Sequence, residues 1–515
     1  MKNIIASLLL LACAQASFGQ LSGPLSGTLG PGTYDVVGNI WVEANDTLRL
    51  MPGTTFLFGE DLVFDIYGTL LAEGTESDSI IFTAVEDTTY WPPPWGGMGF
   101  GDPGSSGSQL VYCSLTYAAH WSGGAVRCIR SSPTLTNCSL SLNYAHNGGA
   151  VLCDSSSSPL FIGCTIRVNG AYEGGGGVYI DNNSAPIFMD CIIRENAAAG
   201  EWWWGFGGGI YCDHSSPIFV NCHICDNAAS WSSGGAACYS SSVTFLNCVF
   251  SENVGWADTD GVICGRCSGI FGNCTFSGNG GEAMFLSECS LLVANTIVTF
   301  SGGRGIRFEN SPQTQVRCCD FFGNGGGAFG GDVPAGLGVL VATNANGDSC
   351  DVYQNILLDP MFVNMGVGDY HLTDSSRCIG AGDLAGAPTS DMDGNPRPNP
   401  PGSNPDIGAY ENARDVPLHT RYSLPYLPVT HALHPSFPNP FNASTMIRYD
   451  VGRSCTIELT IFNLVGQKIQ TLANGRHPAG SNIVRWDARD LPSGLYFCRM
   501  QASGFIQTQK LMLVK

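Results

Sequence analysis

The stretch "NGGAVLCD" (147–154) has near copies on both sides of it, "SGGAVRC" (122–128) and "GGGIYCD" (207–213). Each is a Gly-Gly turn, a short apolar run and a cysteine, twice followed by aspartate. Such a Cys can be a disulfide half, a metal ligand, part of a catalytic pair, or core. Recurrence narrows the choice. One cysteine column runs Cys113, Cys138, Cys164, Cys191, Cys222, Cys248 and Cys274, at spacings of 25, 26, 27, 31, 26 and 26 residues. Five residues after it stands asparagine: Asn143, Asn169, Asn196, Asn227, Asn253 and Asn279. Three before it stands a large apolar residue: Leu135, Phe161, Phe188, Phe219, Phe245 and Phe271. A second cysteine column holds Cys128, Cys153, Cys212, Cys238 and Cys264, with Ile180 in the same slot.

Each unit reads as three short strands, for example "GAVLC" (149–153), "PLFI" (159–162) and "CTIRV" (164–168), separated by Ser, Pro, Gly, Asn and Asp turns. Strands this short bury nothing alone, so the units must stack. Stacked in parallel at about 4.8 Å per coil, they form a β-solenoid, and no 3.6-residue period supports a helical one. The Phe column then becomes an aromatic ladder. The Asn column becomes an amide ladder, set at a turn of unusual backbone angles.

Composition agrees. Glycine is 67 of 515 residues and charged residues only 13%, which suits many tight turns rather than disorder. The net charge is −20, and no lysine occurs from residue 3 to 467. No nucleic acid is therefore expected as partner, since that needs clustered cations. The segment 1–19 reads as a signal peptide cleaved after Gly19 or Ala16, although "LLAC" (10–13) also brushes a lipidation site. No other run reaches the ~18 apolar residues of a membrane span, so no transmembrane segment is expected.

The "GGAV" turns alternating with "FSEN" (250–253), "FSGN" (276–279) and "FFGN" (321–324) resemble the GGA/FxxN repeats of polymorphic outer-membrane proteins. More broadly the region is similar to right-handed parallel β-helix proteins of the pectate-lyase-like superfamily. The resemblance implies such a β-helix over 20–411. It specifies function poorly, because the fold hosts lyases, hydrolases, adhesins and shafts. Residues 412–435 carry prolines without periodicity and read as a linker.

Over 436–515, "PNPFN", "TIFNLVGQKI", "SGLYF" and "KLMLVK" lie in alternating runs that imply a small Ig-like β-sandwich. Their order resembles the C-terminal sorting domain of type IX secretion substrates. That resemblance implies the type IX secretion machinery as partner, passage through the periplasm, and a secreted or outer-membrane-surface destination.

Removing Cys13 leaves 21 cysteines, an odd number that cannot all pair. The columns read as stacked core thiols, with a disulfide ladder as the alternative. Cys264/Cys267 and Cys318/Cys319 are less regular and are the pairs expected to bridge. Asp154, Asp181 and Asp213 form a column facing outward, which needs solvent or a cation such as Ca²⁺. "DMDGN" (391–395) spaces Asp391, Asp393 and Asn395 either like the start of a Ca²⁺ loop or like an Asx-rich turn.

Between the Asn column and the Gly-Gly turn lies a variable loop. It supplies Trp121, Tyr144, Tyr172, Trp202, Trp203, Trp204, Trp231 and Trp256 to one edge of the solenoid. Exposed aromatics in such number suit a binding surface for a glycan or another extracellular ligand; the alternative is a lid of loops packed on one another. The same edge offers Glu173, Glu201, Asp258 and Asp260, candidate carboxylates for a polysaccharide lyase or glycoside hydrolase. Neither a "GHG" segment nor an Arg/Lys base constellation accompanies them. Binding is the leading expectation, with catalysis and a passive structural shaft as alternatives.

Overall fold

The computed structural model describes residues 17–85, 94–200, 205–255, 259–417, 430–436, 439–477, 480–502 and 504–514. The first sixteen residues of the expected signal peptide, most of the linker, and Glu201, Trp202, Trp203, Trp204, Trp256 and Asp258 lie outside them.

The chain coils as a parallel β-solenoid. One face is a sheet of twelve parallel strands, among them Leu160–Ile162, Ile187–Met189 and Ile218–Val220. Two further faces belong to one 24-stranded network. They are joined by the long strand Gly32–Val42, which pairs with both Thr54–Phe58 and Phe64–Ile66. The floor face, as we call it, contains Val126–Ile129, Val151–Asp154, Val178–Ile180, Ile210–Asp213 and Ala236–Tyr239. The far face contains Ser139–Ser141, Thr165–Arg167 and Ile192–Arg194. Successive coils stay in register: Cys128 lies opposite Cys153, Cys153 opposite Ile180, and Ile180 opposite Cys212.

The middle coils hold a fourth strand where the sequence predicts a loop. Ala119–Ser122, Tyr144–Asn147, Gly170–Gly174, Ala197–Ala198, Ala228–Ala229 and Val254–Gly255 pair as a six-stranded parallel sheet along the edge. "AHWS" and "YAHN" lack an apolar/polar alternation: the first buries no residue and the second only Ala145.

The interior is a set of ladders. Phe161, Phe188, Phe219, Phe245 and Phe271 stack face to face at centroid separations of 4.5, 4.9, 4.8 and 5.0 Å. The asparagine amides chain from Asn143 to Asn279, each fully buried or nearly so. The unusual backbone angles fall one residue earlier than the sequence reading placed them. Leu142, Val168, Glu195, Asp226 and Glu252 have φ between 54° and 60°. The turn residue faces outward and takes the left-handed conformation, which leaves the asparagine free to point its amide along the axis.

All 21 cysteines of the described residues are free thiols. In the first column each sulfur lies against a carbonyl of the preceding coil: Cys164 donates to Leu135 O at 3.4 Å and Cys248 to Phe219 O at 3.5 Å. Thr296 occupies the same slot and donates its hydroxyl to Phe271 O. The two pairs expected to bridge do not. Cys267 stands with Cys289 in a second donor column, elsewhere filled by serine, and donates to Cys238 O as Ser157 does to Cys128 O. Cys318 takes the left-handed turn position (φ 51°) while Cys319 points into the core column, so their side chains diverge.

Residues 380–411 fold back along the solenoid. Asn247 donates to Ser390 O, Asn273 to Asp406 O and Asn295 to Asp383 O. Arg397 and Glu411 pair there with both side chains fully buried. The C-terminal unit packs a three-stranded sheet (Ala432–Leu433, Ser444–Val451, Gly480–Asp487) against a four-stranded one (Lys468–His477, Cys455–Asn463, Gly494–Ala502, Phe505–Leu513), both antiparallel. Trp486 and Tyr496 fill the space between them.

Candidate functional site

The edge sheet turns into the floor face through the Gly-Gly corners, and the corner is concave. A Cβ on Gly174 would lie 3.3 Å from the rings of both Tyr179 and Tyr211, and one on Gly123 would lie 2.8 Å from Leu152 Cβ. The outward side chains of the floor therefore press against the backbone of the edge. Only glycine permits so close an approach, and Gly123, Gly148, Gly175 and Gly207 also have positive φ. The result is a trough along the solenoid, with Leu152, Tyr179 and Tyr211 on its floor.

One wall is aromatic. The indole of Trp121 stacks on the imidazole of His146 with centroids 4.3 Å apart and planes 20° apart, and His146 continues onto Tyr172 at 5.2 Å. Trp121 is 72% exposed and Tyr144 48%. Trp231, 45% exposed, lies four coils further on, about 19 Å along the axis. Glu173 faces His146 Nδ1 at 3.4 Å. The floor is aromatic too: Tyr179 and Tyr211 stack at 4.8 Å with planes 11° apart. The sequence reading missed these two tyrosines. Their signal was available, because Leu152, Tyr179 and Tyr211 share the slot just before the second cysteine column.

The side of the floor away from the edge is acidic. Asp154, Asp181 and Asp213 follow the buried Cys153, Ile180 and Cys212, and strand alternation turns them outward. Ligand atoms of Asp181, Asp213 and His214 lie within 4.8 Å of one another, and His214 Nδ1 is 2.8 Å from Asp213 Oδ1. Asp154 accepts a hydrogen bond from Asn182. Burial, then the nearby Asp213 and Asp154, holds the Asp181 carboxyl above the usual carboxylate range. Burial raises the Tyr179 and Tyr211 phenols as well. Asp181 and Glu173 add to the shift at Tyr179, and Tyr179 and Asp213 to that at Tyr211. The field in the trough is negative.

The other candidates are dispersed. Asp260 is buried, and its Oδ1 accepts from Gly255 N at 2.7 Å. It stands three coils beyond Glu173, about 14 Å along the axis. Asp391 is buried and accepts hydrogen bonds from the amides of Asp393, Asn395 and Glu411 and from Asn395 Nδ2. Its carboxylate thus organises the turn, while Asp393 faces His371 Nε2 at 2.7 Å.

The family described as "Right handed beta helix region" matches residues 104–250 and 234–356, and "Secretion system C-terminal sorting domain" matches 436–515. No curated protein matches the chain. Among solved structures, the enzymatically active domain of the bacteriophage CBA120 tailspike protein 4 aligns over 88% of this chain and 59% of its own, at 10% identity and a TM-score of 0.20. A likeness that weak carries no argument about activity.

Proposed function

Because the chain is a right-handed β-helix protein with a secretion-system C-terminal sorting domain, we propose that it is a secreted or cell-surface binding protein whose trough holds an extracellular glycan. The single observation behind this reading is the wall of Trp121, His146 and Tyr172, a stacked and partly exposed column beside a floor of stacked tyrosines. Because the rings stack on one another along the axis, a glycan beside them would meet their edges and the exposed indole of Trp121, and exposed aromatic surface of this kind suits a binding site. Trp231, 45% exposed further along the edge, would extend the same surface. Export would follow the route the sorting domain serves, with the type IX machinery as partner. Cleavage of the leader after Ala16 would leave the first strand, Ser17–Pro24, whole against Gly32–Val42.

Of the candidate carboxylates, Glu173 and Asp260 lie within the described residues and are about 14 Å apart along the axis, wider than the ~5–10 Å of a glycosidase pair. The test is affinity electrophoresis or calorimetry of the full exported chain against a panel of soluble polysaccharides, with Trp121→Ala alongside. We expect retention by at least one glycan and a loss of about tenfold or more in the variant. Undiminished binding by Trp121→Ala would remove this wall from the site, and release of reducing sugar or unsaturated uronate would replace binding with catalysis.

A further inference from the structure

The charge around the trough identifies the class of glycan. Asp154, Glu173, Asp181 and Asp213 border the trough, while the only lysines or arginines between residues 131 and 260 are Arg167 and Arg194. Both cations end far-face strands, Thr165–Arg167 and Ile192–Arg194, away from the trough. The nearest cations on the floor face are at its beginning, and neither is free. Arg127 is buried, donates to Gly96 O at 2.7 Å and faces Asp65 at 3.8 Å; Arg130 faces Asp102 at 3.4 Å.

A polyanion laid in this trough would thus meet Glu173 on the edge and Asp154, Asp181 and Asp213 along the floor, with no lysine or arginine beside them and only His146 and His214 as titratable bases. A neutral glycan would leave the three carboxylates, one per coil, with only their local partners, Asn182 on Asp154 and His214 beside Asp213. A chain of ammonium-bearing sugars compensates them. Each carboxylate repeats at the coil rise of about 4.8 Å, close to the length of one sugar ring in an extended chain. Tyr179 and Tyr211 cover each other's faces, so cation attraction through a ring face falls to the exposed Trp121, in addition to its apolar contact with the sugar.

We propose that the trough takes an extended polysaccharide of protonated amino sugars, its rings against Trp121 and Tyr172 and its ammonium groups against Asp154, Asp181 and Asp213. This inference rests on the glycan-binding reading above and specifies its ligand.

The test is calorimetry of the full exported chain, in chelator, at mildly acidic pH, against three hexasaccharides: a glucosamine oligomer, the neutral glucose oligomer of the same linkage, and an oligogalacturonate. The glucosamine oligomer should bind at least tenfold tighter than the neutral one. That preference should shrink as salt is raised, because exposed charge pairs are screened. The variant Asp181→Asn/Asp213→Asn should lose the preference for the glucosamine oligomer over the neutral one; a far-ultraviolet spectrum matching wild type would confirm its fold. Equal or tighter binding of the neutral oligomer overturns the charge inference and leaves the glycan reading standing. Binding of the oligogalacturonate, with chelator or only after Ca²⁺ is restored, overturns it too. Failure of all three to bind overturns both.

Discussion

Asn196 Nδ2 donates to Asn227 Oδ1 at 3.0 Å, while Asn196 Oδ1 accepts from both Nδ2 and the backbone amide of Asn169, at 2.9 and 3.1 Å. The amide also donates to Ile166 O, so one buried side chain ties together three coils. Replacing it with leucine leaves the Asn169 amides, the Ile166 carbonyl and Asn227 Oδ1 short of partners. Each unsatisfied buried group costs about 1–3 kcal/mol, so Asn196→Leu should lose several kcal/mol and shift the denaturant midpoint sharply. Asn324, near the end of the column, makes fewer such bonds and donates to Val298 O. Asn324→Leu should cost clearly less. Equal losses at the two sites would mean that the ladder is not what holds the coils.

The thiol columns make a second prediction. Cys191 donates to Phe161 O at 3.6 Å from a fully buried position. Thr296 shows that a hydroxyl serves in this slot. Cys191→Ser should therefore cost about 1 kcal/mol or less, while Cys191→Val gives up the donor and adds a methyl to a packed column, costing about 1–3 kcal/mol. A thiol reagent should label native protein only at the half-buried Cys225 and Cys455, then find the remaining described thiols on unfolding. Mass spectrometry of the unfolded, unreduced protein would reveal any disulfide as two missing labels.

These ladders were legible because a solenoid turns structure into period. Cys164, Phe161 and Asn169 each return at the coil spacing, so alignment alone shows which residues share a slot. The edge strand was not legible: its inward residues are single alanines, such as Ala145 and Ala171, which leave no apolar stripe. Nor was the trough. It exists because Gly174 lets Tyr179 and Tyr211 approach the neighbouring backbone, a contact between faces that no single coil's sequence announces. The covering segment 380–411 has no period at all. Its position depends on partners such as Asn247 and Asn273, more than a hundred residues earlier.

Two buried carboxyls, Asp320 on the solenoid and Asp406 in that segment, make stability pH-dependent. Asp320 is buried against Leu358 N and Cys378, and Asp406 near Glu411; burial pushes each carboxyl up to about 8. In the unfolded chain both titrate near 3.9. Between these values the folded state holds protons that the unfolded state has lost, so stability falls as pH rises through the window. His371 has the same sign, because its contacts with Asp393 and Asp369, outweighing burial, raise its pKa. Melting temperature should be higher at pH 5 than at pH 9, and Asp320→Asn should flatten the difference. A melting temperature that rises between pH 5 and pH 9 would contradict the burial of these two carboxyls.

The pair Arg397–Glu411 closes the same segment. Arg397 Nε meets Glu411 Oε1 at 2.8 Å, and its other nitrogens reach Asn247 Oδ1 and Gly408 O. Glu411 in turn accepts from the amides of Asn399 and Asp406. Removing the guanidinium leaves Glu411 buried without its counter-charge, a loss of about 3–5 kcal/mol. The cost should be local, because Arg397 touches the solenoid only through Asn247 while the Phe and Asn ladders run on beneath. Arg397→Met should therefore become sensitive to limited proteolysis between 380 and 411 while the coils before residue 250 keep their hydrogen-exchange protection. The double variant Arg397→Met/Glu411→Gln removes the stranded charge and should recover part of the loss. Uniform loss of protection along the solenoid would instead make the covering segment part of one cooperative unit with the coils.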